Sequence, residues 1–236
     1  MQRPIRRLRR WLHSRRVAPE TRRARDEGLT YLSWEKLHRL EAAVTRIARK
    51  QVPGDLVEFG VALGGSSILL AGHLGTGRRF HGFDVFAMIP PPTSENDDEK
   101  SRRRYESIRA GKATGIDGAD NYYGYRDNLL DDVKASFARF GRPVDGDRIQ
   151  LHQGLFEETW PTVEIDRIAF AHIDCDWYDP VKFCLAAVAD RLSRGGRLLI
   201  DDYHDYGGAR TAVDEFLAAR RDFAFEPGAN PILRRI

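Results

Sequence analysis

The sequence predicts an α/β fold in which helices cover both faces of a mostly parallel β-sheet. Short apolar runs typical of buried strands alternate along the chain with longer segments of helical periodicity. The strand-like runs are apolar on both faces, as in a parallel sheet that is covered on both sides. Two short segments close the chain, at residues 223–225 and 231–236, with no room between them for a crossover helix. They predict a hairpin that adds an antiparallel edge.

The first well-patterned element is a helix predicted from Ser33 to Lys50. Ser33 is a candidate N-cap, and four apolar residues then recur at helical spacing: Leu37, Leu40, Val44 and Ile47. The predicted strands that follow are Leu56–Phe59, Phe80–Phe83, Arg148–His152, Ile168–Ile173 and Leu198–Ile200. The predicted helices between them are Ser66–Leu74, Leu129–Phe140, Val181–Leu192 and Ala209–Ala219.

The charge is distributed unevenly along the chain. Residues 1–25 hold ten arginines and one acid, Glu20, whereas the remainder has 28 basic and 34 acidic residues. We therefore predict a basic arm at residues 1–32 and a single domain at residues 33–236. The arm is open to three interpretations: a solvated tail, the polar face of an accessory helix, or a segment that binds anionic lipid or nucleic acid.

The composition is that of an ordinary soluble protein, with 42% apolar and 31% charged residues. No run approaches the roughly 20 apolar residues of a membrane span, and the basic start lacks the apolar centre of a signal peptide. A cytoplasmic protein is expected. Cys175 and Cys184 are the two cysteines, and we expect both to be reduced packing residues rather than a disulfide or a metal pair.

One long segment interrupts the alternation of strands and helices. Residues 85–127 have little periodicity and contain three consecutive prolines, an acidic run and a tyrosine-rich stretch. Loops of this length in a compact domain are either functional or mobile. The segment follows the second predicted strand, at the edge where such sheets bind ligands. We therefore expect a lid over the ligand site, with a mobile insertion as the alternative.

The first strand runs into a glycine-rich turn of the kind that cradles a nucleotide. Glu58 lies near the strand end, Gly60 follows, and Ser66 begins the next helix, whose free N–H groups can face a ligand. The spacing G-x-x-x-G-G differs from the dinucleotide fingerprint, and a carboxylate at position 58 suits a cationic ligand better than a pyrophosphate. Asp84 ends the second strand, where α/β folds grip ribose hydroxyls. A ligand-free tight turn and a helix cap are the alternatives.

Carboxylates also follow the fourth and fifth predicted strands. Asp174 and Asp176 follow one, and Asp201 and Asp202 follow the next. A right-handed crossover between parallel strands brings their ends to the same edge of the sheet. Because close carboxylates repel one another, a cation is expected among Asp174, Asp201 and Asp202. Oxygen ligands favour Mg²⁺ or a similar hard ion over zinc. The alternative is that Asp201 and Asp202 only cap the following helix.

With these motifs the sequence resembles the macrocin O-methyltransferase family, enzymes that methylate sugar hydroxyls in antibiotic biosynthesis. The resemblance covers roughly residues 54–220, and the matching stretches are VEFGVALGGSSILL, FHGFDVFAMIP, LHQGLFEETWP, HIDCDWYDP and GGRLLIDDYHDYGGARTAVDEF. It implies a Rossmann-like class I methyltransferase fold with S-adenosylmethionine as the methyl donor. It also implies a Mg²⁺ ion held at Asp174, Asp201 and Asp202.

The same resemblance implies roles for individual residues. Glu58, Gly60 and Asp84 would face the donor, and the turn at Leu155 and Phe156 would border its adenine. Ser66, at the predicted helix start, is a further candidate for donor binding. The acceptor is expected to be a hydroxyl of a sugar or glycosylated small molecule, in natural-product or polysaccharide biosynthesis. Its proton needs a base, for which the candidates are Asp174, Asp176 and His204.

Other functions remain open on the sequence alone. A catechol-like phenol or another small molecule is the alternative acceptor. A nucleic-acid substrate is not expected, because the fourth strand lacks the Asn/Asp-Pro-Pro-aromatic motif of base-amino methyltransferases. A non-catalytic module that binds a membrane or nucleic acid through the arm is a further alternative. A homo-oligomer is possible.

Overall fold

In a computed structural model, which describes residues 12–118 and 121–236, a seven-stranded sheet forms the centre of the described part. Its order is β3-β2-β1-β4-β5-β7-β6. Strands β1 to β5 are parallel, and β7 runs antiparallel to both β5 and β6. The predicted parallel sheet with an antiparallel C-terminal edge is thus confirmed. The strands are β1 (Asp55–Phe59), β2 (Phe80–Asp84), β3 (Ile149–Gln153), β4 (Ile168–Ile173), β5 (Leu192–Ile200), β6 (Phe223–Glu226) and β7 (Ile232–Arg235).

Helices cover both faces of this sheet. They are α1 (Pro19–Asp26), α2 (Trp34–Arg49), α3 (Gly65–Ala71), α4 (Glu99–Arg109), α5 (Leu129–Arg139), α6 (Phe156–Thr159), α7 (Tyr178–Ala189) and α8 (Gly207–Ala219). Successive strand residues point to opposite faces, so Leu56 joins a core beneath α1, α2, α3 and α5, and Val57 joins a second core beneath α7 and α8. Ser33 caps α2 as expected, since its side chain accepts a hydrogen bond from the Lys36 N–H.

The register of the parallel strands aligns their carboxyl ends. Phe59 pairs with Phe83 on one side and with Ile173 on the other, and Ile173 pairs with Ile200. The ladder continues one residue further, because the Asp174 N–H donates to Phe59 O and the Asp201 N–H donates to Ile173 O, both at 2.9 Å. The residues that follow these strands therefore meet at one edge, where open α/β sheets bind their ligands.

The insertion at residues 85–127 contains a helix that the sequence analysis did not predict. Helix α4 buries only Ser101 and Ile108, so it lacks the apolar stripe by which amphipathic helices are recognised. Asp98 caps it by accepting a hydrogen bond from the Ser101 N–H at 2.8 Å. Two short 3-10 turns follow, at Ile116–Gly118 and Tyr123–Tyr125. The insertion is therefore locally ordered rather than a continuous loop.

Residues 17–32 pack against the domain. Val17, Ala24, Leu29 and Leu32 are buried in the core that α3 shares. Leu29 O also accepts a hydrogen bond from the Gly65 N–H at 2.8 Å. The boundary after residue 32 remains a proposal, and residues 1–11 of the predicted arm lie outside the described residues.

The two cysteines are buried free thiols, in agreement with the sequence analysis. Cys175 follows β4, and Cys184 lies on the face of α7 that packs against the sheet. Among the described residues, no helix combines the length and the apolar character that crossing a membrane requires.

The packing of residues 17–32 predicts a measurable contribution to stability. Leu32→Ala should lower the free energy of unfolding by about 2–5 kcal/mol, the usual cost of truncating a buried leucine. Leu12 is exposed, so the matched Leu12→Ala variant should change it by less than about 0.5 kcal/mol. Urea unfolding of both variants measures the difference. Equal, small effects would show that this segment does not belong to the core.

Candidate functional site

A cleft with two adjoining lobes lies at the carboxyl edge of the sheet. The apolar lobe has a volume of about 420 Å³, within the range of small-molecule sites, and the polar lobe adjoins it. The residues that line both lobes are Gly60, Ile89, Tyr123, Asp174, Asp176 and Trp177. A ligand in one lobe is therefore next to a ligand in the other.

Gly60 sits where the two lobes meet and must be a glycine. Its φ angle is +92°, in the left-handed region that side chains disfavour. A Cβ atom at this position would lie 1.8 Å from the backbone oxygen of Asp174. The lack of a side chain therefore allows the end of β1 to approach the end of β4, on which the acidic residues are mounted.

Asp84 organises the turn beside Gly60 and lines the apolar lobe. Its Oδ2 accepts hydrogen bonds from the Val61 and Ala62 N–H groups, at 2.8 and 2.9 Å, and its Oδ1 accepts one from the Phe86 N–H at 2.7 Å. Burial raises the pKa of the Asp84 carboxyl above its ordinary value, although these hydrogen bonds oppose the shift. Phe156 lines the same lobe and packs edge-to-face on Phe59, with ring centroids 5.2 Å apart.

Glu58 and Ser66 lie beneath the cleft rather than on its wall. Glu58 is fully buried, with Oε1 2.7 Å from His172 Nδ1 and Oε2 accepting a hydrogen bond from Ser67 Oγ. Ser66 is buried in the first turn of α3. Of the residues predicted to face a donor, the structure brings Gly60, Asp84 and Phe156 to one lobe and places these two behind the turn.

The predicted acidic cluster does form. Asp174, Asp201 and Asp202 each offer a carboxylate oxygen, and these oxygens lie within 4.8 Å of one another. Burial, together with the neighbouring carboxylates, raises the pKa values of Asp174 and Asp202 well above the ordinary range. Burial is the larger cause of both shifts, and a cation would relieve the charge repulsion that adds to it.

The residues of this cluster fit a hard divalent cation. Every donor is a carboxylate oxygen, the ligand type that Mg²⁺ prefers. Asp201 Oδ1 is also buried and has no hydrogen-bond partner among the described residues. A buried acceptor without a partner lowers the stability of the folded protein unless a bound ion or ligand takes the place of the missing donor.

Of the other candidate bases, Asp176 belongs to the cleft and His204 does not line it. Asp176 has a φ angle of +60°, and its N–H donates to Asp202 Oδ2 at 3.0 Å. Burial raises the pKa of Asp176 to about 7, against the opposing charge of Arg104. The His204 side chain is exposed, and its Nε2 lies 3.0 Å from Gly228 O.

The insertion is attached to the cleft by two consecutive aspartates. Asp97 Oδ1 accepts a hydrogen bond from the Tyr178 N–H at 2.9 Å, at the start of α7. Asp98 Oδ2 accepts one from the Gly207 N–H at 2.8 Å, at the start of α8. Neither helix has a side-chain cap from its own N-cap residue, so the insertion supplies both. The loops that precede these helices carry the acidic cluster.

Within the described part of the chain, three cations line the polar lobe that the predicted motifs do not include: Lys36, Lys100 and Arg104. Lys36 Nζ lies 2.7 Å from Asp201 Oδ2, a partner 165 residues away that no local pattern indicates. Lys100 and Arg104 are four residues apart on α4. Their spacing was a usable signal, since side chains four apart share one face of a helix.

The sheet order and the cleft at its carboxyl edge are those of the class I methyltransferase fold. Comparison with solved structures finds the same fold. The structure of the O-methyltransferase NovP superposes with a TM-score of 0.72 at 24% identity, covering 88% of this chain and 82% of that one. The O-methyltransferase TomG from Streptomyces achromogenes, in complex with SAM, gives a TM-score of 0.56 at 13% identity, covering 93% and 90%.

The family model described as Macrocin-O-methyltransferase (TylF) matches residues 9–223. The chain therefore belongs to the macrocin O-methyltransferase family and is an O-methyltransferase. A curated relative from Streptomyces olivaceus, 8-demethyl-8-(2,3-dimethoxy-alpha-L-rhamnosyl)-tetracenomycin-C 4'-O-methyltransferase, is 31% identical over 76% of this chain and 67% of its own length. Mycinamicin III 3''-O-methyltransferase from Micromonospora griseorubida is 29% identical over 79% and 69%.

The attachment of the insertion predicts a local effect of Asp97→Ala. Removing the cap on α7 should speed amide hydrogen exchange in residues 85–118 and at Tyr178, at a cost of about 0.5–2 kcal/mol. Glu99, whose exposed side chain pairs with Arg103, provides the control variant Glu99→Ala. Mass spectrometry of exchanged peptides makes the comparison. Unchanged exchange in Asp97→Ala, or equal acceleration in the control, would contradict the capping role.

Proposed function

We propose that this enzyme transfers a methyl group from S-adenosylmethionine to a hydroxyl of a sugar or glycosylated small molecule, with assistance from Mg²⁺. The observation that carries the proposal is the contact between the two lobes. An apolar lobe suited to a nucleoside directly adjoins a polar lobe that holds three convergent carboxylates, with Gly60 and Asp174 at the boundary. The Streptomyces olivaceus relative, named for a rhamnosyl-tetracenomycin substrate, supports a glycosidic acceptor.

The apolar lobe is assigned to the methyl donor, which supplies the methyl group. Phe156 offers an aromatic surface to an adenine, and Gly60 lets a ligand approach the backbone closely. The Asp84 carboxylate already accepts hydrogen bonds that orient the Val61–Ala62 turn. It has lone pairs left to accept hydrogen bonds from ribose hydroxyls. We assign Glu58 and Ser66 to supporting this turn from below, because Glu58 is saturated by His172 and Ser67.

The acidic cluster is assigned to the metal ion, with Asp174, Asp201 and Asp202 as its protein ligands. When bound, Mg²⁺ supplies a positive charge that favours loss of a proton from a hydroxyl. Asp201 Oδ1 would gain the partner that it lacks. The three side chains are held for this task by the ends of β4 and β5, so little reorganisation accompanies binding.

Asp176 is assigned as the base that accepts the proton of the acceptor hydroxyl. It lines both lobes, whereas His204 is directed to Gly228 O outside the cleft. The backbone of Asp176 is fixed by the hydrogen bond that its N–H donates to Asp202 Oδ2, so the Asp176 carboxylate is oriented together with the cluster. In-line methyl transfer depends on such positioning and on the exclusion of water. The docked insertion provides that exclusion by contributing Ile89 and Tyr123 to both lobes.

The donor assignment predicts that Asp84→Asn weakens S-adenosylhomocysteine binding by about 1–3 kcal/mol, the cost of leaving hydroxyls poorly paired. Asp55 is a matched control, because it also accepts a backbone hydrogen bond, from the Arg79 N–H, but at the opposite end of β1. Asp55→Asn should leave the affinity unchanged. Titration calorimetry, with thermal unfolding recorded in parallel, measures both. No binding by the unmodified protein would overturn the donor assignment.

The metal assignment predicts that chelation stops turnover without releasing the donor. With EDTA, methyl transfer from labelled S-adenosylmethionine to glycosides should be abolished, because the acceptor hydroxyl loses its activating charge. S-adenosylhomocysteine affinity should stay within about threefold, less than 1 kcal/mol, and added Mg²⁺ should restore turnover. Asp201→Asn should behave like chelation. Full activity in EDTA would exclude the metal role, and turnover of catechols but no glycoside would exclude the sugar acceptor.

A further inference from the structure

Lys36 places an ammonium group beside the acidic cluster, in contact with Asp201. Its Nζ lies 2.7 Å from Asp201 Oδ2, 2.7 Å from Asp205 Oδ2 and 3.1 Å from Asp201 O. The Lys36 side chain is only 16% exposed. It extends from the first turn of α2.

The backbone of Lys36 is fixed as well. Its N–H donates to the capping oxygen of Ser33 at 3.3 Å, and its carbonyl accepts a hydrogen bond from Asn230 Nδ2 at 3.3 Å. The amine therefore reaches Asp201 from an anchored position. An exposed lysine that only neutralises surface charge contributes little to stability and does not require a fixed backbone.

The two oxygens of Asp201 are used differently. Oδ2 is bound by the Lys36 amine, whereas Oδ1 is buried and unpartnered among the described residues. Oδ1 is thus the oxygen left for the cluster that Asp201 forms with Asp174 and Asp202. The amine and a metal ion can share this one carboxylate, each on its own oxygen.

We propose that Lys36 is the positioning residue that sets the affinity of the acidic cluster for its metal ion. Its ammonium holds Asp201 and Asp205 together when no metal is bound, and its charge repels a divalent cation on the other oxygen of Asp201. The enzyme consequently holds its metal loosely while keeping the ligands in place. This inference rests on the proposed metal site and concerns binding, separately from turnover.

The test is direct Mn²⁺ binding, followed by electron paramagnetic resonance of the free ion and by calorimetry. Lys36→Met removes the charge but keeps a long side chain, and should bind Mn²⁺ about tenfold more tightly or better, since a neighbouring like charge is gone. Lys36→Arg keeps the charge and should match the unmodified protein. Lys50→Met, at the far end of the same helix and exposed, is the matched control and should also be unchanged.

Thermal unfolding provides a second readout. In EDTA, Lys36→Met should have a lower unfolding midpoint than the unmodified protein, because Asp201 and Asp205 then lose the ammonium that pairs with them, and Mn²⁺ should restore the midpoint. Lys36→Arg should show neither effect. These measurements need no acceptor, so they are independent of the proposed reaction.

The outcomes distinguish the proposed role of Lys36 from the proposed metal site. If the unmodified protein binds Mn²⁺ and Asp201→Asn abolishes binding, but Lys36→Met binds equally or more weakly, the role of Lys36 is overturned and the metal site stands. Equal tightening in Lys36→Arg would also overturn it, because charge would not be the cause. Binding to Lys36→Met alone would support it. No binding to either protein would overturn both the inference and the metal site.

Discussion

Repulsion between carboxylates at the carboxyl ends of β4 and β5 is the constraint around which the cleft is built. Among the residues that the structure describes, five aspartates line the polar lobe: Asp174, Asp176, Asp201, Asp202 and Asp205. Placing like charges in a partly dry cleft is unfavourable unless cations compensate. The chain supplies Lys36 from α2, and Lys100 and Arg104 from α4. Helix α2 and the insertion thus each contribute compensating cations to this lobe.

The insertion and the cluster depend on each other. Asp97 and Asp98 cap the two helices whose preceding loops carry the acidic residues, and the Trp177 Nε1–H donates to Pro90 O at 2.9 Å. Residues far apart in sequence are thereby fixed relative to one another. Residues of the insertion line both lobes of the cleft, which supports the proposal that it excludes competing water from methyl transfer.

The sequence was sufficient for the sheet and for the convergence of Asp174 with Asp201, because apolar strand runs and right-handed crossovers determine both. It was insufficient where a partner lies far along the chain. The sequence predicts Glu58 as a ligand-facing carboxylate, but Glu58 lies on β1 and is hydrogen-bonded to His172 of β4, 114 residues away. Lys36 likewise pairs with a distant residue, Asp201, so no local pattern indicates its place in the site. Helix α4 was missed for another reason, since its mostly polar surface leaves no periodic pattern to detect.

A crystal structure with S-adenosylhomocysteine and Mn²⁺, using anomalous scattering to locate the metal, tests the metal and donor assignments most directly. We expect one anomalous peak bounded by Asp174, Asp201 and Asp202, with the Lys36 amine still on Asp201 Oδ2. We also expect the nucleoside in the apolar lobe beside Phe156 and Asp84. A nucleoside bound in the polar lobe, or Mn²⁺ located away from the three carboxylates, would contradict these assignments.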